Sequence, residues 1–204
     1  MSTIVVSTFL TLDGVMQAPG GPDEDQSDGF PHGGWQAPHF DEAAGEIVGA
    51  WYATSTGMLL GRRTYEIFAG YWPTVGDDSP EAAMAKVLNE MPKYVASRTL
   101  SSVDWQNSHL LGDDVPAAVA KLRAEPGGEL HVVGSAEFAQ TLIRHDLVDE
   151  YRLMVFPLVL GTGKRLFGDG TVPGNLALVE SRTTPAGAVA SVYRRAGEVR
   201  YGSF

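Results

Sequence analysis

Residues 128–167 read GELHVVGSAEFAQTLIRHDLVDEYRLMVFPLVLGTGKRLF, and the order of segments within them decides the fold class. Leu130, His131, Val132 and Val133 form an apolar run of strand length, and Gly134-Ser135 ends it, because a residue without a Cβ lets the backbone turn freely. Phe138, Leu142 and Ile143 then fall at helical spacing on one face. A second, longer apolar run follows over residues 151–160. A helix that starts directly after a strand-end glycine turns its unpaired N–H groups into the crevice there, which favours an anion. Taken alone, the turn has two readings: an ordinary tight strand-to-helix connection, or the seat of a nucleotide-type phosphate.

The same junction occurs upstream. Residues 57–61 are a short apolar strand, and Arg62-Arg63-Thr64-Tyr65-Glu66-Ile67-Phe68 opens a helix directly after Gly61; Tyr71-Trp72-Pro73 closes it, since proline lacks a donor and pushes its neighbour out of helical geometry. A third strand, residues 93–97, ends in Ser97-Arg98-Thr99. Residues 3–10 are β-rich and almost continuously apolar, as a strand buried on both faces would be. Helices are expected over 38–55 and 80–91, and after Asp113 or Asp114 through Arg123, with another strand at 105–111. Residues 176–183 and 188–195 flank Thr184-Pro185-Ala186-Gly187, a turn joining two antiparallel strands. The alternation is that of an α/β domain with a mixed sheet.

Residues 11–37 break this rhythm with Asp13-Gly14, Pro19-Gly20-Gly21-Pro22, and the acidic cluster Asp23, Glu24, Asp25 and Asp28. Long irregular loops inside compact domains are commonly lids or binding loops. Trp35 points to a lid that packs on something, whereas the acidic cluster reads as a solvated loop tip.

The 204 residues fit one domain, 1–204, and the formal charge of -10 argues against nucleic acid or an acidic membrane as partner. The absence of cysteine excludes disulfides, thiolate metal sites and thiol nucleophiles. The start shows neither a basic n-region nor a membrane span, so a cytoplasmic location is expected. His32, His39 and Asp41 come nearest to a metal set, but no helix puts both histidines on one face, and no metal is expected. Gly161-Thr162-Gly163-Lys164 completes neither a dinucleotide fingerprint nor a P-loop, and Gly134-Ser135 lacks the flanks of a nucleophile elbow.

Three strand ends therefore carry the chemistry: Gly61-Arg62-Arg63-Thr64, Ser97-Arg98 and Gly134-Ser135-Ala136. Ligands of open α/β sheets bind beyond the carboxyl ends of strands, and this grouping suits a phosphate-rich ligand. The plain alternative is that the arginines are solvated helix-start residues, although the helix dipole disfavours a cation there. Asp13, at a strand end before the lid, is the candidate acid or substrate-orienting carboxylate, or else a turn residue. Phe9, Trp35 and Trp72 are candidate pocket walls.

On Thr11-Leu12-Asp13-Gly14-Val15, Gly61-Arg62-Arg63-Thr64-Tyr65-Glu66, Lys93-Tyr94-Val95-Ala96-Ser97-Arg98, Val132-Val133-Gly134-Ser135 and Phe156-Pro157-Leu158-Val159-Leu160-Gly161, in this order, the chain resembles the dihydrofolate reductase-like proteins. Within these it is most similar to the reductase domain family of riboflavin biosynthesis. The resemblance implies a three-layer α/β/α fold with a central mixed, mostly parallel sheet and a C-terminal β-hairpin, and NADPH lying across the strand ends. It implies that Arg62, Arg63 and Thr64 hold the adenosine side and pyrophosphate, that Ser97 and Arg98 meet the 2′-phosphate, and that Gly134, Ser135 and Ala136 lie against the pyrophosphate and ribose. Met16 and Gln17 resemble the mobile loop that closes over nicotinamide. Two departures bear on the substrate: Val133 stands where pyrimidine reductases of this type place a glutamate, and Ser135 replaces a second glycine. The folate-binding carboxylate of true dihydrofolate reductases has only Asp41 and Glu42 near its place, in an unconvincing register. The expected activity is an NADPH-dependent reductase acting on a small heterocyclic or carbonyl/imine substrate; the alternative is a catalytically silent nucleotide- or ligand-binding dimer of the same fold. A homodimer is expected in either case, because the apolar run 151–160 would be an aggregation risk at a sheet edge unless covered.

Overall fold

The computed structural model describes residues 1–203. Within them one sheet is built from β1 (Thr3–Thr11), β2 (Ser55–Gly61), β3 (Lys93–Ala96), β4 (Ser108–Leu110), β5 (Glu129–Val133), β6 (Glu150–Phe156), β7 (Leu176–Thr183) and β8 (Val189–Arg195). Its order is β4-β3-β2-β5-β1-β6-β8-β7. The first six strands run parallel, and the β7–β8 hairpin adds antiparallel to β6. Helices α1 (Glu42–Ala53), α2 (Arg62–Tyr71) and α3 (Ala82–Glu90) cover one face, and α4 (Val115–Ala124) and α5 (Ala136–Arg144) the other. This is the three-layer α/β/α arrangement with a C-terminal hairpin that the family resemblance implied.

Burial follows from position in the sheet. β1 lies between β5 and β6, so Ile4, Val5 and Val6 are fully buried on its two faces, each aliphatic side chain contributing about 1.5–3 kcal/mol. Ile4, Val6, Leu59, Val132, Ala139 and Leu142 form the core beneath α4 and α5. On the opposite face, Phe9, Met154, Phe156 and Trp35 pack under α1, and Met58, Leu60, Val95, Tyr65 and Trp105 under α2 and α3. Asp41 and Asp114 start their helices by accepting the N–H groups of Ala44 and Ala117.

Between those two apolar clusters lies a buried polar one. The side chain of Arg152 donates to Glu129 and Glu150 at 2.7 Å each, while His131 meets Glu129 at 3.0 Å and Ser7 at 3.2 Å. Burial foremost lowers the His131 pKa, against the Glu129 hydrogen bond that raises it.

Three expectations are corrected. The run 151–160 is not one strand: β6 stops at Phe156, where Pro157 removes the next donor. Nor does it lie at an edge, since β6 sits between β1 and β8; the exposed edge is β7, with Leu178 and Val179 in solvent. The acidic loop is not simply a solvated tip. Val15, Ala18, Phe30 and Trp35 are buried within the core under α1, Glu24 folds back onto the N–H groups of Gly20 and Gly21, and Asp25 is ion-paired. Among the described residues no helix is long and apolar enough to cross a membrane.

Candidate functional site

β3, β2 and β5 are neighbours in the sheet and run parallel, so their carboxyl ends open on the same rim. That brings Ser97-Arg98, Gly61-Arg62-Arg63-Thr64 and Gly134-Ser135-Ala136 together, as a common crevice requires. The second and third touch. The Ser135 hydroxyl accepts the N–H of Gly61 at 2.9 Å and shares a hydrogen with the Thr64 hydroxyl at 2.7 Å.

Local backbone geometry explains the residue types. Gly134 has φ +56, and Ser135 follows at φ 59, ψ 63, also left-handed. The change of hand from left-handed Ser135 into the right-handed helix is the kind of turn in which successive N–H groups can form an anion-binding concavity. A Cβ on Gly61 would lie 2.9 Å from the Ser135 oxygen, so only glycine lets β2 approach β5 so closely. At the starts of α2 and α5 no side chain caps the helix, and the N–H groups of a first helical turn have no partner within their own helix. Two helix N-termini thus present free donors and positive dipole ends side by side.

The cations are less uniform. Arg62 folds along its own helix onto Glu66 at 2.9 Å, and Arg63 reaches Asp25 of the loop at 2.7 Å. Arg98 is exposed and, among the described residues, has no hydrogen-bond or ion-pair partner. Ser97 uses its hydroxyl to accept the N–H groups of Thr99 and Leu100, which shapes the turn that carries Arg98.

Other candidates are placed differently. Asp13, the candidate acid or substrate-orienting carboxylate, accepts the Thr11 hydroxyl at 2.6 Å, the Leu160 N–H at 3.1 Å and the Gly161 N–H at 2.8 Å. The Thr11 hydrogen bond foremost, with those two N–H groups, outweighs burial and holds its pKa well below the usual carboxylate range. It is an ionised staple between the end of β1 and residues 160–161. Asp13→Asn is therefore expected to destabilise the protein by about 1–3 kcal/mol, because an amide cannot satisfy all three donors; an unchanged urea midpoint would show that the carboxylate is not holding the loop.

Met16 and Gln17 are not on a free loop. The Met16 N–H donates to the Lys164 carbonyl at 2.8 Å. The Gln17 amide donates to the carbonyls of Asp25 and Ser27 and accepts the Lys164 N–H, while Trp35 Nε1 donates to the Gln17 carbonyl at 2.7 Å. Phe9 and Trp35 both pack edge-on against Phe156, and Phe40 closes on Phe9. Trp72 does not join them. It packs on Phe68 and Tyr71 in the α2–α3 cluster, held there by the 3-10 turn Trp72–Thr74 that follows α2. Asp41 is likewise committed, to Ala44 and to the N–H of Ala186 at 2.8 Å.

A separate open groove of about 690 Å³ is lined by Tyr65, Glu66, Asn89, Asp104, Trp105 and Gln106. It lies against α2 and α3, away from the strand ends, and its charged lining is two carboxylates, which does not suit an anion. The rim of β3, β2 and β5 does. No local pattern points to Lys164 at this rim: it pairs with Asp25 at 2.7 Å, 139 residues away along the chain.

A family model described as the RibD C-terminal domain matches residues 2–190. Two proteins of Bacillus subtilis (strain 168) are similar in sequence. The uncharacterized protein YyaP is 37% identical over 136 residues, which span 67% of this chain and 72% of the relative. The uncharacterized protein YwjB is 29% identical over 129 residues, spanning 62% and 67%. Among solved structures, a protein described as a riboflavin biosynthesis protein, from Shewanella sp. PV-4, superposes with a TM-score of 0.67 at 20% identity, covering 96% of this chain and 99% of the other. A pyrimidine reductase-like protein from Corynebacterium diphtheriae gives 0.60 at 12% identity, covering 96% and 92%. At these identities the two structures speak for the fold.

Proposed function

The chain belongs to the RibD C-terminal domain family, a reductase-like family, and from that premise we propose that it is an NADPH-dependent reductase of a small heterocyclic or carbonyl/imine substrate. The observation that carries the proposal is the junction of Gly61, Thr64 and Ser135, where the free N–H groups of two helix N-termini meet. A dinucleotide's pyrophosphate is the ligand group that such paired donors suit. NADPH, when bound, supplies the hydride. The chain holds and orients it: the starts of α2 and α5 take the pyrophosphate, with Gly134, Ser135 and Ala136 beneath it and Thr64 fixing their spacing, and Arg98 meets the 2′-phosphate.

The substrate wall is aromatic, made by Phe9, Phe40, Phe156 and Trp35. Asp13 and Asp41 are both occupied by backbone donors, and Val133 ends β5 without a charge, so protonation of the reduced product falls to water. The same lack of a free carboxylate is the specific ground for the second reading, a ligand-binding protein of this fold that catalyses nothing. NADPH oxidation dependent on added carbonyl or imine compounds decides between them. A second copy of the chain remains the proposed macromolecular partner, and the place for it is the exposed edge β7.

Arg98 provides the sharpest test of the cofactor. Arg98→Ala is expected to weaken NADPH about tenfold or more while changing NADH by less than about twofold, since a charge-assisted hydrogen bond to phosphate contributes about 1.5–3 kcal/mol. Equal effects on the two cofactors, titrated by nicotinamide fluorescence, would sink the 2′-phosphate assignment.

A further inference from the structure

The Asp25 carboxylate is held by two cations from distant segments and by one N–H of its own loop. One carboxylate oxygen accepts Arg63 Nη1 at 2.7 Å and the other accepts Lys164 Nζ at 2.7 Å. Lys164 Nζ also donates to the Ser27 hydroxyl at 2.6 Å, and the Ser27 N–H donates back to Asp25 at 3.1 Å. The carboxylate is 17% exposed, against 49% for the arginine. Burial opposes its charge, yet the hydrogen bonds from Lys164 and Ser27 keep its pKa down at about 2.

Arg63 stands in the first turn of α2, where the dipole repels a cation, and any anion beside it relieves that repulsion. Two cations converge on one carboxylate, so the triad carries a net positive charge even when Asp25 is in place. A phosphate brings more charge and more acceptor oxygens than a carboxylate. The loop that bears Asp25 is joined to the rest by short polar contacts through Gln17, while its tip residues Asp23, Gln26 and Asp28 are exposed.

We propose that Asp25 is a built-in competitor for the ligand's phosphate: it occupies Arg63 and Lys164 in the free protein and is displaced when an anionic ligand binds, which frees both cations and loosens residues 20–29. This rests on the reading of the β2–β5 rim as the phosphate site, and extends it to Lys164 and to the loop. A ligand that must displace an internal anion binds with its affinity reduced by the fraction of protein in the competent state.

The test uses Asp25→Asn, which keeps the side-chain shape and removes the charge. NADPH and inorganic diphosphate are titrated against both proteins by calorimetry, and hydrogen exchange is followed at the amides of residues 20–29. The expected result is binding of both probes to D25N about threefold to tenfold tighter than to the unaltered protein. Diphosphate is also expected to speed exchange in residues 20–29 of the unaltered protein to the rate D25N shows without it. Weaker binding by D25N would overturn the proposal, because the carboxylate would then be closing the loop over the ligand. Equal binding, with exchange unmoved by diphosphate, would overturn it while leaving the cofactor reading intact. If diphosphate opens the loop and tightens on D25N while NADPH binds neither protein, the competitor stands and the cofactor reading fails.

Discussion

Arg152→Ala is expected to cost about 3–5 kcal/mol of folding stability, because it removes one member of a buried ion network and strands the others. The Arg152 side chain is 9% exposed and bridges Glu129, 26% exposed, to Glu150, 4% exposed. It also donates to the Thr54 hydroxyl at 3.0 Å and the Trp51 carbonyl at 3.3 Å, tying the end of α1 to the sheet. Without it, among the described residues, Glu150 keeps only Arg194, and Glu129 keeps Thr54 and His131. Burial raises the Glu129 pKa, but its hydrogen bonds, Arg152 first, bring it down to about 2. Its depressed value means stability that is fully present above its unfolded pKa and is lost as pH falls through that window towards 2. His131 acts in the same direction: its folded pKa is lowered, so the unfolded chain takes up a proton first as pH falls below about 6.5. In the variant Glu129 regains an ordinary affinity for protons and His131 is released from the arginine's field. The deficit should therefore be largest near pH 7, shrink by pH 5 through His131, and shrink further through Glu129 only below about pH 4.5. Urea unfolding at these values measures it, and a loss under about 1 kcal/mol at pH 7 would show the network to be dispensable. Replacing Glu129, Glu150 and Arg152 together by Gln, Gln and Met should recover much of the loss, since no buried charge is then left unpaired and Arg194, which loses Glu150, is exposed.

Local signals in the chain were enough for the sheet's rim. Each strand there is a short apolar run ending in Gly or Ser, and the helix that follows announces itself within a turn, so Gly61, Ser97 and Gly134 could be placed at strand ends without knowing the strand order. What could not be read were partners supplied from far along the chain. Asp13 looked equally like an acid or a turn residue because the donors that fix it, at Leu160 and Gly161, lie 147 and 148 positions away. Asp25 looked like one more charge on a solvated tip, although Arg63 and Lys164 hold it. The ion network around Arg152 was invisible for the same reason: residues two apart in a strand show which face they share, but not what faces them. Pro73 showed that the helix closes near Trp72 and could not say which of two clusters on one sheet face Trp72 joins. The apolar run after Glu150 looked like an edge because nothing in it reveals that the terminal hairpin adds alongside.

Gly134→Val is expected to weaken NADPH and NADH alike by about 100-fold, or about 2.7 kcal/mol, and to lower stability by about 1–3 kcal/mol. Two effects combine. Gly134 has φ +56, a region that a β-branched residue enters only with strain. A Cβ there would also lie 3.2 Å from the Thr64 hydroxyl oxygen and 3.5 Å from its methyl, before the valine methyls are added. Thr64 cannot retreat without losing the 2.7 Å contact to Ser135, and Ser135 in turn accepts the Gly61 N–H. The substitution therefore pries apart the starts of α2 and α5, and their free N–H groups no longer aim at one point. Pyrophosphate is common to both cofactors, so the loss should ignore the 2′-phosphate, in contrast to Arg98→Ala. Gly134→Ala should fall between, with the backbone strain but less of the collision. Circular dichroism and a thermal melt establish that the valine variant is folded at the temperature of the titration. A folded variant that binds NADPH within about threefold of the unaltered protein would mean that the pyrophosphate lies elsewhere, since a displacement of this junction is expected to cost far more than the 0.7 kcal/mol or so that threefold represents.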